Sequence, residues 1–152
     1  MDEDQMLAAV SGAKVKFEPD TGWGWVAWDG TLEVDAKSGR QTLAVNGNAV
    51  VVVPDIMGLS SDILGKNYNA QGFDSVPGAI LTCTISIDNR TLSDNTRLNG
   101  HEVCGDKTTG RFVVSCAPSL SGSVPPAPDP SAAMRSGSWY ISDAGQQILA
   151  TL

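Results

Sequence analysis

At 152 residues, 41% of them hydrophobic, the chain has the length of one domain and enough apolar content for a sizeable core. A net charge of −7 and a pI near 4.4, with ten Lys and Arg scattered along it, exclude the clustered basic stripe of a nucleic-acid surface. The longest apolar run, Ala49 to Val53, is too short for a membrane helix, and the acidic start Met1-Asp2-Glu3-Asp4 lacks the order of a secretory signal. The chain is therefore expected to be made in a reducing cytoplasm, where its three cysteines read as core residues or metal ligands rather than disulfide halves.

Sixteen glycines and eight prolines among many Thr, Val, Ser, Asn and Asp predict short strands joined by tight turns: an all-β fold with little helix. Residues 1–12 read as an arm with a helical turn over 5–10, and Val15 to Glu18 as a strand ended by Pro19. Three of the four tryptophans follow within six residues. In an extended chain Trp23 and Trp25 share a face and Trp28 takes the other. They suit either a core or subunit contact, where tryptophan is enriched, or a stacking platform for sugar rings.

From Thr31 the hairpin grammar is regular. Strands are expected at 31–35 and 41–45, with a turn at 37–39 between them. Asn46-Gly47 then leads to a strand over Ala49 to Val53 that is apolar at every position and ends at Pro54. Such a strand is covered on both faces, or turns one set of valines, Val50 and Val52, toward a partner. Residues 57–71 read as an exposed loop with a helical turn at 61–64, and 73–78 as a turn. The strand Ala79 to Ile87 comes next, with Leu81, Cys83, Ile85 and Ile87 facing the core. A second Asn-Gly, Asn99-Gly100, precedes a strand at Arg111 to Cys116. The pieces around the two Asn-Gly pairs align residue for residue, 53 positions apart: Val45 to Val51 with Leu98 to Cys104. Four stretches result: an arm with the Trp-rich segment (1–30), a β body (31–116), a Pro/Ser/Ala-rich excursion or linker (117–138) and a closing hairpin (139–152).

Catalytic motifs are missing. One histidine, His101, has no nucleophile placed beside it, and no phosphate loop, nucleophile elbow or HExxH is present, so an enzyme is not expected. Cys83, His101, Cys104 and Cys116 together have the composition of a structural zinc set. The alternative is that Cys83 and Cys116 are small core residues and His101 an exposed turn histidine.

The order of pieces over residues 41–120 resembles the PAAR-like spike-tip proteins of contractile injection systems, such as type VI secretion and phage-tail-like particles. The matching pieces are Asn46-Gly47-Asn48-Ala49-Val50, Phe73 through Val76-Pro77-Gly78 into the strand 79–87, Asn99-Gly100, and Thr108-Thr109-Gly110-Arg111-Phe112-Val113-Val114. The resemblance implies a compact, pointed β-prism with pseudo-three-fold faces. One copy would cap a trimeric β-helical spike, meet the target envelope, and travel with an injection particle and any separate effector cargo. On that reading Trp23, Trp25, Trp28, Val50 and Val52 are the expected partner contacts. Family members commonly hold a zinc near the apex through His and Cys. This sequence departs from them in having a single histidine and no clear Pro-Ala-Ala-Arg; Pro130 to Arg135 only echoes it. Two competitors are a carbohydrate-binding β module using the three tryptophans, and a cysteine hydrolase pairing Cys104 or Cys116 with His101.

Overall fold

The computed structural model describes residues 6–36, 44–45, 48–49, 51–92, 97–98, 101–145 and 150–151, with side chains over 7–36, 51–92 and 102–145. Residues 6–10 form no helix. The strand β1 (Met6–Leu7) runs into Ala8, Ala9 and Val10, which are wholly buried because other segments take up their backbone groups. Strand β2 (Lys14–Pro19) turns Val15 and Phe17 inward, and β3 (Trp23–Val26), β4 (Thr31–Glu33), β5 (Ala44–Val45) and β6 (Asn48–Ala49) follow.

The expected strand at 49–53 stops early. Val51 and Val52 are fully buried, and helix α1 (Val53–Met57) begins where Pro54 was expected to end a strand. Proline fits the first turn of a helix, where its missing N–H has no partner to lose, and the Asp55 carboxylate accepts the Val52 N–H at 3.0 Å. The helical turn expected at 61–64 is a second short helix, α2 (Ser60–Ile63), but strand β7 (Asn67–Ala70) occupies the rest of the expected loop, with Tyr68 and Ala70 buried.

Strand β8 runs unbroken from Phe73 to Ile87 and absorbs the expected turn at 73–78. Gly78 serves packing within it: a Cβ there would collide with the Ala117 carbonyl and the Tyr68 ring. After β8 come β9 (Arg97–Leu98), β10 (His101–Glu102), β11 (Thr109–Ala117), β12 (Arg135–Asp143) and β13 (Ala150–Thr151).

Seven strands make one antiparallel sheet in the order β3-β7-β8-β11-β12-β2-β4, curled into a half-barrel around the core. The fold is all-β with little helix. Strand β12 lies inside this sheet between β11 and β2, so its Trp139 is central and wholly buried rather than part of a terminal hairpin with 147–149, which lie outside the described residues. One inward-facing set differs from the sequence reading. Ser115 pairs with Thr82 but Cys116 pairs with Ile80, so Leu81 is the extra residue of a β-bulge. The bulge flips the alternation: Ile80 is buried and Leu81 exposed, while Cys83 and Ile85 stay inward.

The excursion after Ala117 is tied to the body. Leu120 bridges Val76 and Pro128, and Ser119 and Asp129 are buried. Asp129 accepts from Arg135 through both oxygens, from the Tyr68 hydroxyl at 2.8 Å and from the Ser131 N–H at 2.9 Å. Burial pushes its carboxyl up, but the Arg135 guanidinium, the Ser131 N–H and the Tyr68 hydroxyl outweigh that and hold it below the ordinary value. Every oxygen of this buried carboxylate is thus bonded, which is the condition for a buried charge to be tolerated.

Candidate functional site

Three chain segments that are distant in sequence meet in a closed ring of backbone hydrogen bonds. The Ala9 N–H donates to the Cys104 carbonyl at 2.9 Å, the Cys104 N–H to the Val51 carbonyl at 3.0 Å, and the Val51 N–H to the Ala9 carbonyl at 2.8 Å. All three residues are fully buried. Each is followed by a turn with a hydrogen bond at the same position, Ala13 N–H to Val10 C=O, Asp55 N–H to Val52 C=O, and Thr108 N–H to Gly105 C=O.

Each ring residue is also preceded by a two-stranded ribbon. Strands β5 and β6 lead to Val51, β9 and β10 lead to Cys104, and β13 with β1 leads to Ala9. The first strands of the ribbons begin at Ala44, Arg97 and Ala150, successive intervals of 53 residues. The repeat legible around the two Asn-Gly pairs is therefore present three times, with the third copy shared between the two ends of the chain. Three-fold order resides in this ring and its ribbons, while the large sheet is a single continuous surface. Two copies are legible in the sequence, at 45–51 and 98–104; the third is hidden because its strands are almost the whole chain apart.

Beyond the ring the copies diverge in a graded way. Eight positions after Ala9, Cys104 and Val51 stand Phe17, Phe112 and Leu59, all buried in the common core. The ring turn opens into β2 in one copy and β11 in another, the two strands flanking β12, but into α1 in the third.

The expected interface residues take different places. Val52 bridges Val103 and is wholly enclosed by its own chain, so it is a core residue and presents no surface to a partner; Val50 lies outside the described residues. The three tryptophans are half-buried and pack on the core. Ala27, with φ of 58°, turns the chain after β3 and brings Trp28 onto Trp25, centroids 4.8 Å apart, instead of onto the opposite face. Trp23 meets Trp25 edge to face at 5.0 Å, and Trp25 stacks on Phe112 at 5.8 Å. Their indole N–H groups donate to the carbonyls of Ser136, Phe17 and Thr31. Tilted rings with their polar edges spent on their own chain close the seam between β3 and β2; they do not form the flat, open platform that a sugar ring stacks on.

The Cys and His set is not brought together among the described residues. Cys104 sits in the ring, before β11 begins, and Cys116 lies near the far end of β11, seven steps or roughly 23 Å from Thr109. Sulfurs on one tetrahedral zinc must lie within about 4 Å of each other, since each Zn–S bond is about 2.3 Å. Cys83 faces inward opposite Val114, diagonal to Cys116, and the side chain of His101 lies outside the described residues. Cys104 and Cys116 thus lie toward opposite ends of β11, and among the described residues no group of three or more His, Cys, Asp or Glu has a metal-binding arrangement. Burial pushes the thiols of Cys83 and Cys116 up to about 11 and that of Cys104 to about 12, so all three stay protonated at neutral pH.

What the chain defines is an all-β body organised by a three-copy ring. No family model matches it, and no curated protein is significantly similar to it.

Proposed function

We propose that the chain is a structural tip that caps the trimeric β-helical spike of a contractile injection machine, one copy to three spike chains. The observation that carries this reading is the ring of Ala9, Val51 and Cys104 with its three ribbons at intervals of 53 residues. A symmetric trimer can be closed by one chain only if that chain presents three equivalent contacts. Three ribbons meet this need: each offers one strand edge to one spike chain, which extends a ladder and covers an edge that would otherwise pair unspecifically. The ring behind them fixes the three at a common spacing, since its members are buried and mutually bonded. In this role the work comes from contraction of the machine, so no catalytic group is used.

The test is the mass of the complex with a trimeric β-helical spike encoded in a neighbouring reading frame. One tip per trimer is expected. Three tips per trimer, or no association, overturns the proposal, and glycan binding in its place would favour the carbohydrate module.

A further inference from the structure

The end of the molecule remote from the ring carries few charges, Asp74 among them, and several exposed apolar side chains. Strand β11 leaves the ring turn at Thr109 and reaches Ala117 roughly 25 Å away. The twelve residues from Ala117 to Pro128 that follow contain no charged side chain, in a chain where 18% of residues are charged. Val124, at the tip of the loop between Ser121 and Ala127, is 97% exposed, and Met134 at the loop's return is 72% exposed. Val76 and Leu81 on the adjoining β8 are also exposed, Leu81 because the bulge turns it out.

The loop that carries Val124 is braced from within. The Ser121 N–H donates to the Ala127 carbonyl, and the Ala127 and Ser123 N–H groups both donate to the Ser121 hydroxyl oxygen. The Ser123 hydroxyl donates to the Pro125 carbonyl, and Pro125, Pro126 and Pro128 have no N–H at all. Few backbone donors are therefore left to water, which lowers the donor share of the penalty for moving a loop into an apolar medium. Two charges at the foot of the loop, Asp129 and Arg135, are paired with each other and largely buried, and Asp74, beside the Ser75 that lies against Gly122, is exposed.

From these features we infer that the 121–127 loop, with Val124 leading and Met134 behind, is a lipid-contacting point that enters the interfacial zone of a bilayer. Its chemistry selects uncharged lipid. No cation is present in the 117–128 run to seek anionic headgroups, and the net charge of −7 opposes them. Asp74, exposed on β8 two residues from Val76, limits entry to the loop and its shoulders. The inference stands on these side chains alone; only the assignment of this end as the leading end of a tip rests on the proposed function, with the ring end turned to the spike.

The experiment is flotation of the 152-residue chain with phosphatidylcholine vesicles, and separately with vesicles containing phosphatidylserine. Flotation with the neutral vesicles is expected, unchanged by salt and weaker on the anionic ones. Val124→Asp should lower the bound fraction about tenfold, the effect of losing one buried aliphatic side chain, and Val124→Leu should preserve it. Because Val124 touches almost nothing, an unchanged melting temperature shows that each variant is folded. No flotation of the parent chain, or equal flotation of Val124→Asp, overturns the inference, and an apolar pocket on a protein partner then becomes the better account of the loop. Spike stoichiometry is a separate measurement, so either result can fail alone.

Discussion

Phe17 and Phe112 meet edge to face in the core, ring centroids 5.5 Å apart and planes at 77°. They stand at equivalent positions in two of the three copies, each eight residues beyond its ring member. The contact therefore joins one copy to another, and Trp25 stacks on the same Phe112.

Truncating either ring tests that junction. Phe17→Ala and Phe112→Ala are each expected to cost about 3–5 kcal/mol of stability, the usual loss for a buried phenylalanine. The double variant should lose less than the two losses together, with a coupling of about 0.5–3 kcal/mol, because each ring is the other's neighbour. Denaturant melts of the four proteins measure it; strict additivity would show that the two rings are energetically independent.

The buried Asp129–Arg135 pair predicts a pH dependence with a definite sign. The folded carboxyl lies below the ordinary value of about 3.9, so the pair's contribution is fully present above that pH and disappears as pH falls through the lower folded value. Asp129→Asn should cost about 3–5 kcal/mol at neutral pH, because Arg135 is left buried without its counter-charge. The variant should also lose part of the acid sensitivity seen when melting temperature is followed from pH 6 to pH 2. A parallel pH profile for the two proteins would refute this.

All three thiols are expected to react slowly with a disulfide reagent at pH 7.5, because burial holds each of them protonated and only the thiolate attacks. Denaturant should release three rapid equivalents per chain. The same geometry predicts less than stoichiometric zinc in protein purified without added metal, measured by elemental analysis. One tightly held zinc per chain, lost in Cys116→Ser, would mean that the cysteines are closer than β11 allows.

The third ribbon joins β1 to β13, so the chain should tolerate a change of connectivity. Linking residue 152 to residue 1 and opening the chain between 99 and 100 leaves every ring segment intact. This permuted chain is expected to keep its β circular dichroism and to melt within a few degrees of the parent. Opening it instead between Gly24 and Trp25 breaks β3 and the aromatic seam, and should prevent folding. Equal behaviour of the two would argue against the ring as the organising element.

Local chemistry made some of this legible in the sequence. Composition and turn residues sufficed for the all-β class, and each Asn-Gly pair lies between the strands of a ribbon, with Val45 opposite Asn48 and Leu98 opposite His101. Turn preferences act over a few residues, so one stretch of sequence contains all the information they need. Tertiary structure decided the rest. Ile80 and Leu81 exchange faces because of the register on β11, more than thirty residues away, and Val52 is enclosed by Val103 and the ring rather than offered to a partner. Residues 117–138 have the composition of a linker, yet Asp129 bonds to Tyr68, and both are buried. The third copy is divided between the chain's two ends, where no window of neighbouring residues contains it. In each case the deciding partner is remote along the chain, and a backbone or side-chain group is committed only when folding brings that partner within hydrogen-bonding or packing distance.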